Sequence, residues 1–133
     1  MTGTHCLFCR IVAGEVPSMT VHADETAVAF LDIAPWQAGH TLVVPRRHVV
    51  DVLAGPDVLA EVSAAVTVVG ALLKEKLGAT ACNVLSNAGP DSGQEVMHAH
   101  VHVIPRYPDS PGITAMRAPV TSDPSEVHQR LTS

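Results

Sequence analysis

The segment His98-Ala99-His100-Val101-His102-Val103-Ile104 alternates imidazoles with small apolar side chains, and a period of two belongs to a β-strand rather than a helix. On a strand the three histidines share one face while Ala99, Val101 and Val103 share the other, with alternate residues about 6–7 Å apart. The apolar reverse face asks for burial, so this strand has to sit in a sheet whose back is covered. Its histidine face is then either a cleft wall or an ordered polar surface.

The remaining punctuation predicts the rest of that sheet. Residues 6–14 read as a short helix closed by Gly14 and followed by a loop containing Pro17. Residues 21–23 and 27–31 flank Asp24-Glu25-Thr26 as a hairpin. A turn over 35–39 leads into a third strand, 40–44, stopped by Pro45. The clearest helix opens at Pro56 and Asp57, carries Lys74 and Lys76 in its last turn and closes at Gly78, each residue type suited to its end of the helix. Val62, Val66, Val69, Leu73 and Leu77 step by three or four along it and form one stripe. Strands over 81–86 and 98–104, the latter stopped by Pro105, complete the set, with the Gly- and Pro-punctuated loop 87–94 between them. The tail 107–133 reads as irregular. The expectation is a single α+β domain over 1–133 with its core at about 6–106. It has a five-stranded, mostly antiparallel sheet, one long helix and a short N-terminal helix.

Composition narrows the functions such a domain can have. Hydrophobic residues make up 47% and charged ones 16% of the 133 residues, which argues for generous burial and against disorder. The net charge of −5 argues against a nucleic-acid backbone as partner. The most apolar stretch, 62–73, falls short of the ~20 residues a membrane span needs, and the start shows no signal-peptide pattern. Three cysteines suit a reducing compartment, hence a cytoplasmic location.

The histidine spacing admits two chemistries. Histidines at i and i+2 of a strand can share a zinc ion, and imidazole also attacks phosphorus well and leaves well from a phosphoramidate. Gly93-Gln94 just upstream offers backbone N–H groups and an amide, the equipment of an anion pocket, and Asn87 can face the same cleft. Cys6-x-x-Cys9 reads as half a zinc site, a redox pair, or two apolar side chains at a helix start. His5, His22 and His128 read as surface residues, Cys82 as a core thiol, and Arg46, Arg47 and Arg106 as solvated. Trp36 sits in a turn where it can shield a ligand or an interface.

At this point the chain resembles the histidine triad superfamily, in particular its Hint-like branch. The resemblance rests on His98 to Ile104 followed by Pro105-Arg106, on Gly39-His40-Thr41-Leu42-Val43-Val44-Pro45-Arg46-Arg47-His48, on Cys6-Leu7-Phe8-Cys9-Arg10-Ile11-Val12 with Gly14-Glu15-Val16-Pro17, and on Ala29-Phe30-Leu31-Asp32-Ile33. It implies that His100 attacks the α-phosphorus of a nucleotide to form a nucleotidyl-histidine that water resolves. It implies that His102 touches the phosphate and the leaving side, that His98 orients His100 through hydrogen bonding, and that His40 completes the set. Asp32 would bind ribose hydroxyls, with Phe30, Leu31 and Ile33 around base or sugar, and Asn87 with the Gly93-Gln94 backbone would hold the phosphate. Implied substrates are purine nucleoside phosphoramidates or adenylyl esters that yield an AMP- or GMP-like product, with no cofactor required for the chemistry. The resemblance further implies a homodimer whose two sheets join, and a structural zinc on Cys6, Cys9, His48 and His98. Glu95 departs from the hydroxyl residue of many eukaryotic relatives; a carboxylate there either repels phosphate when ionised or protonates a leaving amine when neutral. Three other functions stay open: a non-enzymatic nucleotide-binding or interaction protein, a dinucleoside polyphosphate hydrolase, and a metal-dependent hydrolase built on the histidine strand.

Overall fold

In the computed structural model, residues 5–112 and 118–133 are described; Met1 to Thr4 of the signal-peptide reading and part of the irregular tail lie outside them. Helix α1 (Leu7–Val12) precedes the hairpin β1 (Thr20–Ala23) and β2 (Ala27–Leu31). The Asp24 carboxylate accepts the backbone N–H groups of Thr26 and Ala27, the local hydrogen bonding that makes aspartate a turn former. Strand β3 (Thr41–Pro45), helix α2 (Asp57–Leu77), strands β4 (Ala81–Leu85) and β5 (Val101–Arg106), and helix α3 (Pro124–Thr132) follow. The sheet runs β1-β2-β3-β5-β4 with every neighbouring pair antiparallel. The α+β architecture expected from the sequence is the one observed. Among the described residues, no helix is long and apolar enough to cross a membrane.

Each face of the central strands is buried against something different. Ala27, Ala29, Val43, Val101 and Val103 pack against Val62, Ala65, Val69 and Leu73 of α2. The opposite face carries Val28, Phe30, Leu42 and Val44, which pack with Phe8 of α1 and with Cys6, Ile11 and Val12 beside it. Cross-strand register sets Phe30 beside Leu42, Leu42 beside His102 and His102 beside Leu85. His102 therefore lies in the second face, away from the long helix.

Three boundaries differ from the sequence reading. The fifth strand does not begin at His98: regular pairing starts at Val101, and the preceding residues bend so that the Ala99 N–H donates to the Val49 carbonyl. Nor does Pro105 stop it. The Arg106 carbonyl accepts from Thr80 on the β4 side, so the nitrogen of Pro105 points to the β3 side, where pairing has ended at Val103. The missing N–H removes no bond there. The tail is not wholly irregular, because α3 forms with the Asp123 side chain accepting from the Ser125 N–H and Pro124 in its first turn. Asp123-Pro124-Ser125-Glu126 supplies cap, proline and N-terminal acid together, a local signal that the surrounding prolines conceal. On α2, Leu77 is half exposed and Ala65 takes its place in the buried stripe.

Gly39 ties the site to this frame. Its φ is +99°, and an added Cβ would stand 2.7 Å from Leu77 Cδ1 and 2.9 Å from Leu73 Cδ2. Gly70, inside α2, has nothing within 4 Å of the same point. Gly39→Ala is expected to cost more than about 1 kcal/mol, and Gly70→Ala to stabilise by about 0.5–1 kcal/mol. Urea unfolding of the two variants checks both signs.

Candidate active site

A cavity of about 710 Å³ opens on the α1 face of the sheet, a size suited to a small ligand. Phe8 and Ile11 line it from α1, Phe30 and Leu31 from the end of β2, Asp32, Ile33 and Trp36 from the following loop, Asn87, Gly93 and Glu95 from the loop before β5, and His100 and His102. The residues expected around a nucleoside and those expected around a phosphate, Gln94 excepted, thus come to one hollow. Phe8 and Ile11 are additions that spacing within one element could not reveal, since α1 meets the sheet only in the fold, while Trp36 lines the hollow from the turn in which it is expected to shield a ligand or an interface.

The three histidines do not do one thing. His100 and His102 line the cavity, their ring centroids 5.0 Å apart. His98 is fully buried and does not line it. Phe8 stands against both His98 and His100, with centroids at 5.9 and 5.1 Å, and so covers the first histidine. A metal bound by all three histidines has no common centre here.

Backbone partners fix which ring nitrogen carries the proton. His98 Nε2 lies 2.9 Å from the Pro45 carbonyl. A carbonyl only accepts, so this nitrogen holds the hydrogen and Nδ1 is left with a lone pair. His100 Nδ1 lies 2.8 Å from the His98 carbonyl, which by the same reasoning puts a lone pair on Nε2. At His40 the polarity reverses. The Trp36 backbone N–H donates to His40 Nδ1 at 3.1 Å, so His40 Nε2 carries hydrogen and donates to His102 Nδ1 at 2.9 Å. His102 then carries its hydrogen on Nε2. The two neighbouring cavity rings are held as opposite tautomers.

His98 therefore orients its neighbour through its main-chain carbonyl and not through its ring, and this frees the ring for another task. Its Nδ1 lies 3.3 Å from Cys6 Sγ and 3.4 Å from Cys9 Sγ, and His48 Nδ1 lies 3.3 Å from Cys9 Sγ. The four ligand atoms all fall within 4.8 Å of one another. Tetrahedral zinc with two sulfur and two nitrogen ligands places them about 3.3–3.8 Å apart. The donor set fits that ion, and the Pro45 carbonyl supplies the outer hydrogen bond a ligating histidine requires. Asp32, His40 and His102 form a second close group, but there the short line between the rings is occupied by a proton.

The loop before β5 departs from expectation. The Gly93 N–H donates to the Pro90 carbonyl and the Gln94 N–H to that of Gly89. The Gln94 side chain is buried, accepts from the Gly89 N–H and donates to the Val50 and Val96 carbonyls. These groups hold the loop together and are not open to an anion, because a buried amide must satisfy its own hydrogen bonds first. Ser86 Oγ donates to the His100 carbonyl at 2.6 Å, a support that an isolated serine at a strand end does not announce. Arg47 pairs with Glu61 and Asp57 on α2, and Arg106 Nε donates to Asn83 Oδ1, so both are structural.

Fold and site together define a histidine-lined ligand pocket of the kind expected above. The HIT domain family model matches residues 13–109, and the chain belongs to that family. It is 40% identical over 113 residues to Protein hit of Bacillus subtilis, covering 84% of this chain and 78% of that protein. A Zn-bound histidine triad family protein from Mycobacterium smegmatis superimposes with a TM-score of 0.76 at 36% identity, covering 80% of this chain and 78% of that one. A HIT family hydrolase from Clostridium thermocellum does so with a TM-score of 0.72 at 29% identity, covering 85% and 100%.

Burial pushes His102 down to about 4, helped by His100 and His40 and opposed by Asp32. His40 is lowered mainly by burial too. Between about 4 and the ordinary value of 6.5 the unfolded chain holds a proton on residue 102 that the folded protein lacks, so stability falls as pH drops through this window. Urea unfolding between pH 7 and pH 4.5 should show that fall, and His102→Gln should flatten it. An equally steep decline in the variant would contradict the assignment.

Proposed function

We propose that this protein is a nucleotide hydrolase or transferase that cleaves at the α-phosphorus of purine nucleoside phosphoramidates or adenylyl esters through a nucleotidyl-His100 intermediate. The observation that carries this reading is the pair of opposed tautomers. A ring nitrogen with an open lone pair sits beside a ring nitrogen with an open N–H, both on one cavity. His100 Nε2 attacks phosphorus while the bond to the leaving atom breaks. The Nε2–H of His102 donates a hydrogen bond to the departing atom as its bond breaks, and a water molecule then protonates that atom and delivers the hydroxide that opens the P–Nε2 bond. The products are a nucleoside monophosphate and the free leaving group.

Asp32, whose Oδ1 accepts from Ala34 N–H and whose Oδ2 lies 3.6 Å from His40 Nε2, is assigned to the ribose hydroxyls. Phe30, Leu31 and Ile33, with Phe8 and Ile11, surround base and sugar, and Asn87 faces the phosphate. Zinc held by Cys6, Cys9, His48 and His98 anchors α1 to the strand ends and takes no part in bond breaking. Reduced thiols of that kind suit the cytoplasm. Strand β4 ends the sheet on one side and leaves Val84 more than half exposed, the edge through which two copies would join their sheets in a homodimer.

His100→Ala should lower turnover of an adenosine phosphoramidate by at least about a thousandfold while AMP still binds by calorimetry. Mass spectrometry of protein quenched during turnover should find the nucleotidyl mass on His100; persistent turnover in the variant rules the mechanism out. Protein produced with zinc should hold one ion per chain, Cys9→Ser should lose it, and chelator should lower the wild-type melting temperature. Metal-free protein of equal stability would remove the zinc assignment.

A further inference from the structure

Among the described residues, the charged side chains that line the cavity are of one sign. Asp32 and Glu95 line it beside the rings of His100 and His102, and among the described residues no lysine or arginine lines it. Asp32 stands on the side of β2, Phe30 and His40, its carboxylate engaged by Ala34 and facing His40. Glu95 comes from a different segment, the loop before β5, together with Asn87 and Gly93. Its side chain is exposed, and among the described residues it has no ion-pair partner.

Glu95 is also presented rigidly. The three hydrogen bonds of the buried Gln94 side chain fasten the residue before it to Gly89, Val50 and the carbonyl of Val96. The backbone turns at Gly93 with φ +106°, a conformation that favours glycine. The backbone position from which the Glu95 carboxylate reaches the cavity is therefore fixed when a ligand arrives. With a nucleoside seated on Phe30 and Asp32 and phosphorus at His100, Glu95 is the charged lining residue left for the remaining substituent on phosphorus.

We infer that Glu95 is a specificity-determining residue that selects leaving groups carrying a positive charge, an inference that rests on the phosphoryl-transfer reading above. The chemistry follows from charge alone. A leaving group bearing an ammonium a few atoms from phosphorus gains a partner at Glu95. A polyphosphate leaving group meets a carboxylate with no compensating cation among the described lining residues, so dinucleoside polyphosphates are expected to be poor substrates.

The test uses two adenosine 5′-phosphoramidates of nearly equal shape, one made from 2-(trimethylammonio)ethylamine and one from 3,3-dimethylbutylamine. Their intrinsic reactivities differ, so the quantity of interest is the ratio of their kcat/KM values in each protein. That ratio should drop about two- to fivefold from wild type to Glu95→Gln, drop further in Glu95→Lys, and shrink in wild type as salt is raised. A purely structural Glu95 would lower both substrates together and leave the ratio unmoved, which overturns the inference while the phosphoryl-transfer reading stands. Wild-type protein that turns over neither compound overturns both.

Discussion

The contact on which the rest of the site depends is the one between the His98 ring and the Pro45 carbonyl. It is buried, it joins the end of β3 to the bend before β5, and it leaves a single histidine serving four neighbours. The ring donates to Pro45, offers its other nitrogen to Cys6 and Cys9, and lends its main-chain carbonyl to His100. The role of orienting the next histidine and the role of meeting the cysteines would compete for one imidazole if the ring performed both. They do not, because orientation is done by the peptide group and the ring is spent elsewhere.

A carbonyl has no hydrogen to give and a peptide N–H has no lone pair to offer, so main-chain partners set side-chain protonation with little ambiguity. The Pro45 and His98 carbonyls drive two imidazoles one way, and the Trp36 N–H, acting through His40, drives a third the other way. Burial reinforces this by disfavouring the charged form of His40, His98 and His102. The sheet thus prepares reactive groups from residues of a single type by varying only what each ring faces.

Much of this was legible in the chain. Alternation at 98–104 located the site strand, Pro56 and Gly78 bracketed the long helix, and Asp24-Glu25-Thr26 marked the hairpin. These signals are local, and local signals survive in sequence. What stayed hidden was relational. The alternating pattern says that three histidines can share a face but not that Phe8 covers the first of them. Gln94 looks like a ligand group until its three buried partners are seen, and Gly93 offers an N–H that its own loop already uses. Trp36 matters here through its backbone N–H, which no residue-type argument can anticipate. Helix α3 is the opposite case: its cap was written plainly at Asp123-Pro124, and the prolines around it outweighed it.

The two faces of the sheet have different owners. Beneath α2 lies an aliphatic layer of valine, alanine and leucine that the cavity never touches, while the layer under α1 shares Phe8 and Phe30 between packing and ligand contact. Substitutions can therefore accumulate under the long helix at the expense of folding alone. Under the short helix the same residues are wall and lining at once, and a change that reshapes what the pocket accepts must also be one that the chain survives. Drift in selectivity is consequently steered to the rim, where side chains meet solvent and carry no structural duty.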